Sequence, residues 1–497
     1  MLPLVAASMI GAGIAGLRWL RVSQREHYLP PMATRFAWRW WTSSTLNRVL
    51  GLIALAGVVG SFFVEPNLGW LGLAAAGGPI GLGLRGRTSP LYWTPRLRRL
   101  ALMSGVLVVL FGVWSILTKH PGPAAAAILV VPRLVDAAAA VLSHFERRAG
   151  DQWVERARAR LSGSGARVVA ITGSYGKTTT KNYLAHLLGG SVPVVATPAS
   201  FNNRMGLARA INEQLTPGTS VFIAEMGTYG PGEIRDLCDF VPPDVAVITA
   251  IGPVHLERFG SEEAIVAAKA EILERAKVVV LNQDHPGLAD LARKEAGAKT
   301  VLTVSTVDRR ANVAAIDTLL YVEGEAIGEL TPDVFPSNVA SAVAAAIGLG
   351  AEARILSSRL ASLPVAKHRR EMSRTEKGVI VIDDTYNSNP VGARAALATL
   401  TAIDGGGRRV VVTPGMVELG EQQARANREW AQVAAERATD LVIVGHTNRD
   451  SLIEGADGRR ARVTVVDSRP EAVEWVRANL EPGDAVLYEN DLPDHYP

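Results

Sequence analysis

The chain has 497 residues, 48% of them hydrophobic, with a formal net charge of +4 and one cysteine. That length supports two or three domains with cores of their own. The charge excess is too small to point to nucleic acid, and Cys238 alone excludes an intramolecular disulfide framework and fits a reducing compartment.

The apolar excess sits in residues 1–145, where five stretches stand out: Leu2–Leu20, Val49–Val64, Leu68–Leu84, Leu100–Leu117 and Pro123–Leu142. A helix needs roughly 20 apolar residues to cross the hydrocarbon core, about 17 at the least. Leu68–Leu84 is glycine-rich and marginal, so four spans or five both fit. Further spans follow the first, which argues against a cleaved signal peptide. Arg21, Arg25, Arg35, Arg39 and Arg48 follow the first stretch, and Arg85, Arg87, Arg96, Arg98 and Arg99 follow the third. The turns Glu65–Asn67 and Thr118–Gly122 carry little positive charge. The positive-inside rule makes the basic loops cytoplasmic. Five spans then put the N-terminus outside and everything after Arg147 in the cytoplasm, where nucleotide is available. Arg133 and Asp136, three residues apart on one helical face, predict either a lipid head-group contact or a local ion pair.

After Gly165 the pattern turns to alternating strands and amphipathic helices, the mark of an α/β sheet. The β-branched run Arg167–Thr172 leads into Gly173, Ser174, Tyr175, Gly176, Lys177, Thr178 and Thr179, with a helix predicted from Lys177 to Leu188. Backbone N–H groups at such a turn cradle phosphates, the lysine reaches them as a point charge, and the Thr178 hydroxyl can hold Mg²⁺. Downstream come Thr197-Pro198, then Asn202-Asn203-Arg204-Met205-Gly206, and a buried strand ending in Glu225. Gly252-Pro253-Val254-His255 and a helix with Lys269 follow. The C-terminal part adds Asn338 before an alanine-rich helix, Arg369, and Asp383-Asp384-Thr385-Tyr386-Asn387-Ser388-Asn389-Pro390.

In order and spacing these motifs resemble the Mur ligase family, most closely its D-alanyl-D-alanine-adding branch, over roughly residues 165–490. The resemblance implies three parts: transmembrane helices in 1–145, a central P-loop ATP-binding domain in 146–350 and a Rossmann-like domain in 351–497. It implies an ADP-forming ligase that makes an acyl phosphate from a carboxylate and ATP and then an amide. Thr178 and Glu225 would hold one Mg²⁺, and His255 and Lys269 the second, with Lys269 carbamylated. Lys177, His255 and Lys269 would be the catalytic set. Asn338, Arg369, Asp384 and Asn387 would contact the nucleotide.

The departures concern the substrates. The acidic Glu489-Asn490-Asp491-Leu492-Pro493-Asp494 stands where the family has Lys-Gly-Ser, disfavouring an incoming group whose carboxylate needs a cation. Asn427 stands where the family has a histidine, and membrane spans replace the domain that holds a UDP-sugar. The expected partners are ATP, an amino acid or peptide amine, a membrane-resident carboxylate acceptor and the bilayer, with a membrane-protein partner a further candidate. Alternatives are a polymerising ligase resembling poly-γ-glutamate synthase, synthesis of the soluble UDP-linked pentapeptide precursor, and a nucleotide-binding scaffold without turnover.

Overall fold

The computed structural model describes all residues except 87–89, 199, 332–333, 365–370, 386–388 and 404–405. The chain opens with helices α1 (Leu2–Arg25), α2 (Met32–Thr42) and α3 (Thr45–Phe63), a 3₁₀ segment Pro66–Leu73 and the short α4 (Ala74–Gly77). Two long helices follow, α5 (Pro95–Leu117) and α6 (Gly122–Ser164). Ser44 and Thr94 start α3 and α5 by accepting from the backbone N–H of Asn47 and Leu97. Among the described residues, α1, α3, α5 and α6 are long and apolar enough to cross a membrane.

The stretch Leu68–Leu84 forms no long helix of its own. Its 3₁₀ and α4 turns run back along α3, which glycine makes possible. A Cβ at Gly57 would come 2.4 Å from the Leu71 side chain, and one at Gly60 would come 2.7 Å from Leu68. The backbone groups freed at its end find side-chain partners. Arg18 donates to the carbonyls of Ala76 (2.8 Å), Leu82 (3.1 Å) and Gly77 (3.4 Å). Asn47 donates to the Ile80 carbonyl and accepts from its N–H. Asp136 has a similar task. It accepts from the N–H groups of Ala33 and Thr34 and from the Thr34 hydroxyl, so it caps α2 and forms no ion pair with Arg133.

The 43-residue α6 leaves this bundle and carries Val154, Ala157 and Leu161 into the core of the first sheet. That sheet has the order β2-β3-β1-β4-β5-β6-β7-β8-β9. Its parallel strands are β1 (Arg167–Thr172), β2 (Val194–Ala196), β3 (Val221–Glu225), β4 (Val245–Ile248), β5 (Val278–Asn282), β6 (Thr300–Ser305) and β7 (Val313–Ile316). The antiparallel β8 (Leu319–Val322) and β9 (Glu325–Glu329) close one edge. Near-continuous Val, Ile and Ala in β1, β3 and β4 match strands covered on both faces.

The second sheet, ordered β10-β11-β15-β12-β13-β14, comprises β10 (Glu371–Arg374), β11 (Ile380–Asp384), β12 (Arg409–Thr413), β13 (Asp440–Val444), β14 (Arg462–Val466) and β15 (Ala485–Glu489). Only β10 runs antiparallel. After β15 the chain returns to the helical bundle. The Trp40 indole donates to the His495 carbonyl at 2.8 Å, Arg21 pairs with Asp494 at 3.1 Å, and Tyr496 meets Phe36 edge-on.

Candidate active site

The turn between β1 and helix α7 (Lys177–Leu188) needs both its glycines. Gly173 and Gly176 have φ +153° and +78°. A Cβ on Gly173 would lie 2.1 Å from the Thr249 hydroxyl, and one on Gly176 would lie 2.3 Å from Asn338 Oδ1. Gly176 caps α7 without a side chain, leaving the first N–H groups of the helix open toward the turn. Lys177 Nζ donates to the Gly173 carbonyl at 2.7 Å, and Ser174 is held by Ala250 and Gly252. Tyr175 packs over Gly252, and burial keeps its phenol neutral. Thr179 is buried in α7.

Thr178 donates to Glu225 Oε2 at 2.9 Å, so the structure brings this expected pair together at the ends of β3 and the phosphate turn. Lys181, which the motif reading passed over, donates to the same oxygen at 2.9 Å and is buried with it. Its place one turn beyond Thr178 on the same helical face was the available signal. The hydroxyl and carboxylate together suit Mg²⁺, a hard cation that prefers oxygen.

His255 has φ +60° and its Nδ1 bonds the carboxylate of Glu418, from the turn after β12. A histidine that ligates metal through Nε2 is ordinarily oriented by such a carboxylate on the other nitrogen. Burial pushes the Glu418 carboxyl up. The hydrogen bond and charge of His255, with Arg258 and Arg39, outweigh that and hold it below its usual value. Lys269 is 4% exposed and forms no ion pair among the described residues. Burial, with the charge of Lys177 nearby, pushes its ammonium well below the usual range. Carbamylation requires the neutral form of an amine, which this burial favours.

Asn338 packs against the phosphate turn. Asp384 is buried at the end of β11, in register with Glu489 of β15. Arg369 and Asn387 lie outside the described residues, as does Tyr386. Asn427 pins the turn after β12, accepting from the Met416 N–H and donating to its carbonyl. The acidic residues of the last loop are engaged, Asp491 by Arg469 and Asp494 by Arg21.

Burial pushes the Glu489 carboxyl up to about 8, with Asp384 adding to it against the hydrogen bond from Thr413. The folded state therefore keeps a proton that the unfolded chain loses near pH 4.5. Stability from this group is undiminished below that pH and falls as pH rises toward 8. Glu489→Gln, which cannot ionise, should gain stability over the parent by a few kcal/mol at pH 8 and by little at pH 5, read by thermal unfolding in detergent.

The helical bundle reaches the same centre. Arg258 binds Glu26 at 2.8 Å, Arg39 binds Glu257 at 2.6 Å, and the Tyr229 hydroxyl meets His27 Nε2 at 3.0 Å. Tyr229 in turn lies edge-on to His255. These contacts join residues some 200 positions apart, and no local pattern announced them.

A glycine turn opening onto a helix N-terminus in one α/β lobe, with a second lobe closing on His255 through Glu418, is an arrangement suited to an ATP-dependent ligase. The chain belongs to the Mur ligase family of ADP-forming ligases, matching the "Mur ligase middle domain" over residues 171–338 and the "Mur ligase, glutamate ligase domain" over 368–488. UDP-N-acetylmuramoyl-tripeptide–D-alanyl-D-alanine ligase of Mycobacterium tuberculosis is 32% identical over 66% of this chain and 71% of its own length. Among solved structures, MurF from Acinetobacter baumannii superposes with TM-score 0.60 at 26% identity, over 68% of this chain and 77% of that one. MurF from Thermotoga maritima in complex with ADP gives 0.59 at 27%, over 69% and 80%.

Proposed function

We propose that this ligase is a multi-pass membrane protein that couples an amino acid or peptide amine to a membrane-resident carboxylate on the cytoplasmic side. The observation that carries the reading is the docking of the bundle, through Glu26, His27 and Arg39, onto the turns that hold His255 and Glu418. Residues before 171 lie outside both family matches. The four long apolar helices supply four crossings. The broken stretch 66–82 returns along α3 as a fifth, its backbone satisfied by Arg18 and Asn47. Five crossings put the N-terminus outside and both α/β lobes with the basic loops. The proposed extents are 1–145 for the bundle, 146–350 for the central lobe and 351–497 for the last.

The residues divide the chemistry among them. Lys177 and the α7 N-terminus hold the β- and γ-phosphates, while Asn338, Asp384, Arg369 and Asn387 hold the nucleoside. Thr178 with Glu225, and His255 with a carbamylated Lys269, are the places for two Mg²⁺, which would neutralise charge between two approaching anions. The carboxylate oxygen attacks the γ-phosphorus and ADP leaves. The amine, having lost a proton, attacks the acyl carbon and inorganic phosphate departs.

A second reading, synthesis of the UDP-linked precursor, is favoured by the 32% identity to the mycobacterial ligase. Phosphate release from ATP by the detergent-purified protein separates the two. Turnover that needs both an amine and a membrane lipid fraction supports the first reading. Turnover with a soluble UDP-linked tripeptide and D-alanyl-D-alanine supports the second. ATP binding without turnover under any combination overturns both and leaves a scaffold.

A further inference from the structure

A cavity of ≈ 960 Å³ lies between the helical bundle and the second sheet, with the acidic loop 490–494 along one side. Its floor is the carboxyl end of that sheet, where Thr385, Pro414, His446 and Ser468 follow β11, β12, β13 and β14. Open α/β sheets bind ligands at this end of their strands. Its roof comes from the bundle: Ser43 and Asn47 at the start of α3, and Ile80, Gly81 and Arg85 where the broken stretch ends. Interrupted crossings of this kind tend to end at binding sites, because their backbone is not consumed by a helix.

The charges around it have a sign. Asp467 is paired with Arg449 at 2.6 Å, Asp494 with Arg21, and Asp491 with Arg469. Arg85 and Arg477, both exposed and both lining the cavity, form no ion pair among the described residues; of the four lining carboxylates, Asp467, Glu474, Asp491 and Asp494, all but Glu474 are paired with an arginine. Trp40, Ile80 and Tyr496 add apolar wall. Two unpaired guanidiniums suit phosphate oxygens, which they can bind in bidentate fashion. The volume exceeds what a single amino acid needs and suits a phosphorylated sugar.

Resting on the ligase reading, we propose that this cavity holds the phosphate-bearing polar head of a membrane-borne acceptor. Its tail leaves beside α3, and its carboxylate reaches the centre across the turn from Pro414 to Glu418. That turn lines the cavity at one end and binds His255 at the other.

The test uses full-length protein in detergent, without ATP, and retention of a radiolabelled polyprenyl diphosphate with inorganic pyrophosphate as competitor. The Arg85→Ala, Arg477→Ala double variant should lose affinity about a hundredfold, since each guanidinium–phosphate bond contributes about tenfold, roughly 1.4 kcal/mol. Arg354→Ala, on an exposed position elsewhere, should not change it. If the double variant folds poorly, Arg85→Cys gives the second measurement. Cys238 is buried, with its thiol pushed up to about 12, so a water-soluble maleimide reads position 85 alone. The lipid should slow that labelling. Retention unchanged in the double variant, or labelling unaffected by lipid, overturns the site. Pyrophosphate competing only in large excess over the lipid supports a membrane-borne head. Equal potency reassigns the cavity to a free diphosphate and overturns the lipid source. Because no ATP is present, failure here leaves ATP turnover, and with it the ligase reading, to stand or fall separately.

Discussion

Lys177→Ala should reduce ATP turnover about 10³-fold or more while the protein still inserts in membranes and unfolds at an unchanged temperature. The expectation follows from what the side chain does in each state. Without ligand, Lys177 Nζ rests on the carbonyls of Gly173 and Ser174, within its own turn. Losing its contacts within the turn costs little, because the turn is fixed independently. Ser174 is bonded to Ala250 and Gly252, and Thr249 bonds the Tyr175 carbonyl. In the proposed reaction the lysine would supply a cation where a carboxylate approaches the γ-phosphate, a task no neutral side chain can take over. Phosphate release from detergent-purified parent and variant, beside their melting curves, checks both halves. Retained turnover would remove the phosphate-turn assignment, and a large fall in melting temperature would make Lys177 structural.

What the sequence made legible was whatever is local. The glycine spacing at 173 and 176 predicted a phosphate turn because those positions need φ values and clearances only glycine allows. The helix Lys177–Leu188, β1 and the end of β3 at Glu225 were readable, because buried parallel strands are continuous apolar runs. The meander β7–β9 was not, since its half-exposed strands carry little pattern. Hydropathy measures composition and is blind to backbone regularity, so Leu68–Leu84 read as a marginal helix and is instead a broken path along α3. Asp136 read as part of a lipid head-group contact or as a local partner for Arg133 because three-residue spacing is visible in sequence, whereas the N-terminus of α2 that it caps is about a hundred residues away. The same holds for Glu26 with Arg258 and Arg21 with Asp494. Burial too is a tertiary property, and the displaced protons of Lys269 and Glu489 could not be anticipated from their neighbours in sequence.

Lys269→Ala should be the more informative loss. A lysine 4% exposed, with no carboxylate paired to it among the described residues, is costly as an ammonium. Burial and Lys177 favour its neutral form, and a neutral amine can take up carbon dioxide to become a carbamate. A carbamate there would present oxygen to a cation and carry a negative charge near Lys177, offsetting part of the cost of burial that the ammonium cannot. Turnover should fall about 10²- to 10³-fold in Lys269→Ala, by analogy with removal of one preorganised electrostatic contact. Acetate or propionate, which fit the space left by the side chain and bring back a carboxylate oxygen, should restore part of it. The melting temperature should hold or rise, because the variant no longer buries an amine that carbon dioxide must convert. Rescue distinguishes the two roles open to a buried lysine. A cation that only neutralised phosphate would be rescued by a small amine and not by a carboxylate. Rescue by methylamine, or a folded variant that no carboxylate restores, would return Lys269 to the lysines that act as cations and leave His255, oriented by Glu418, without its proposed partner.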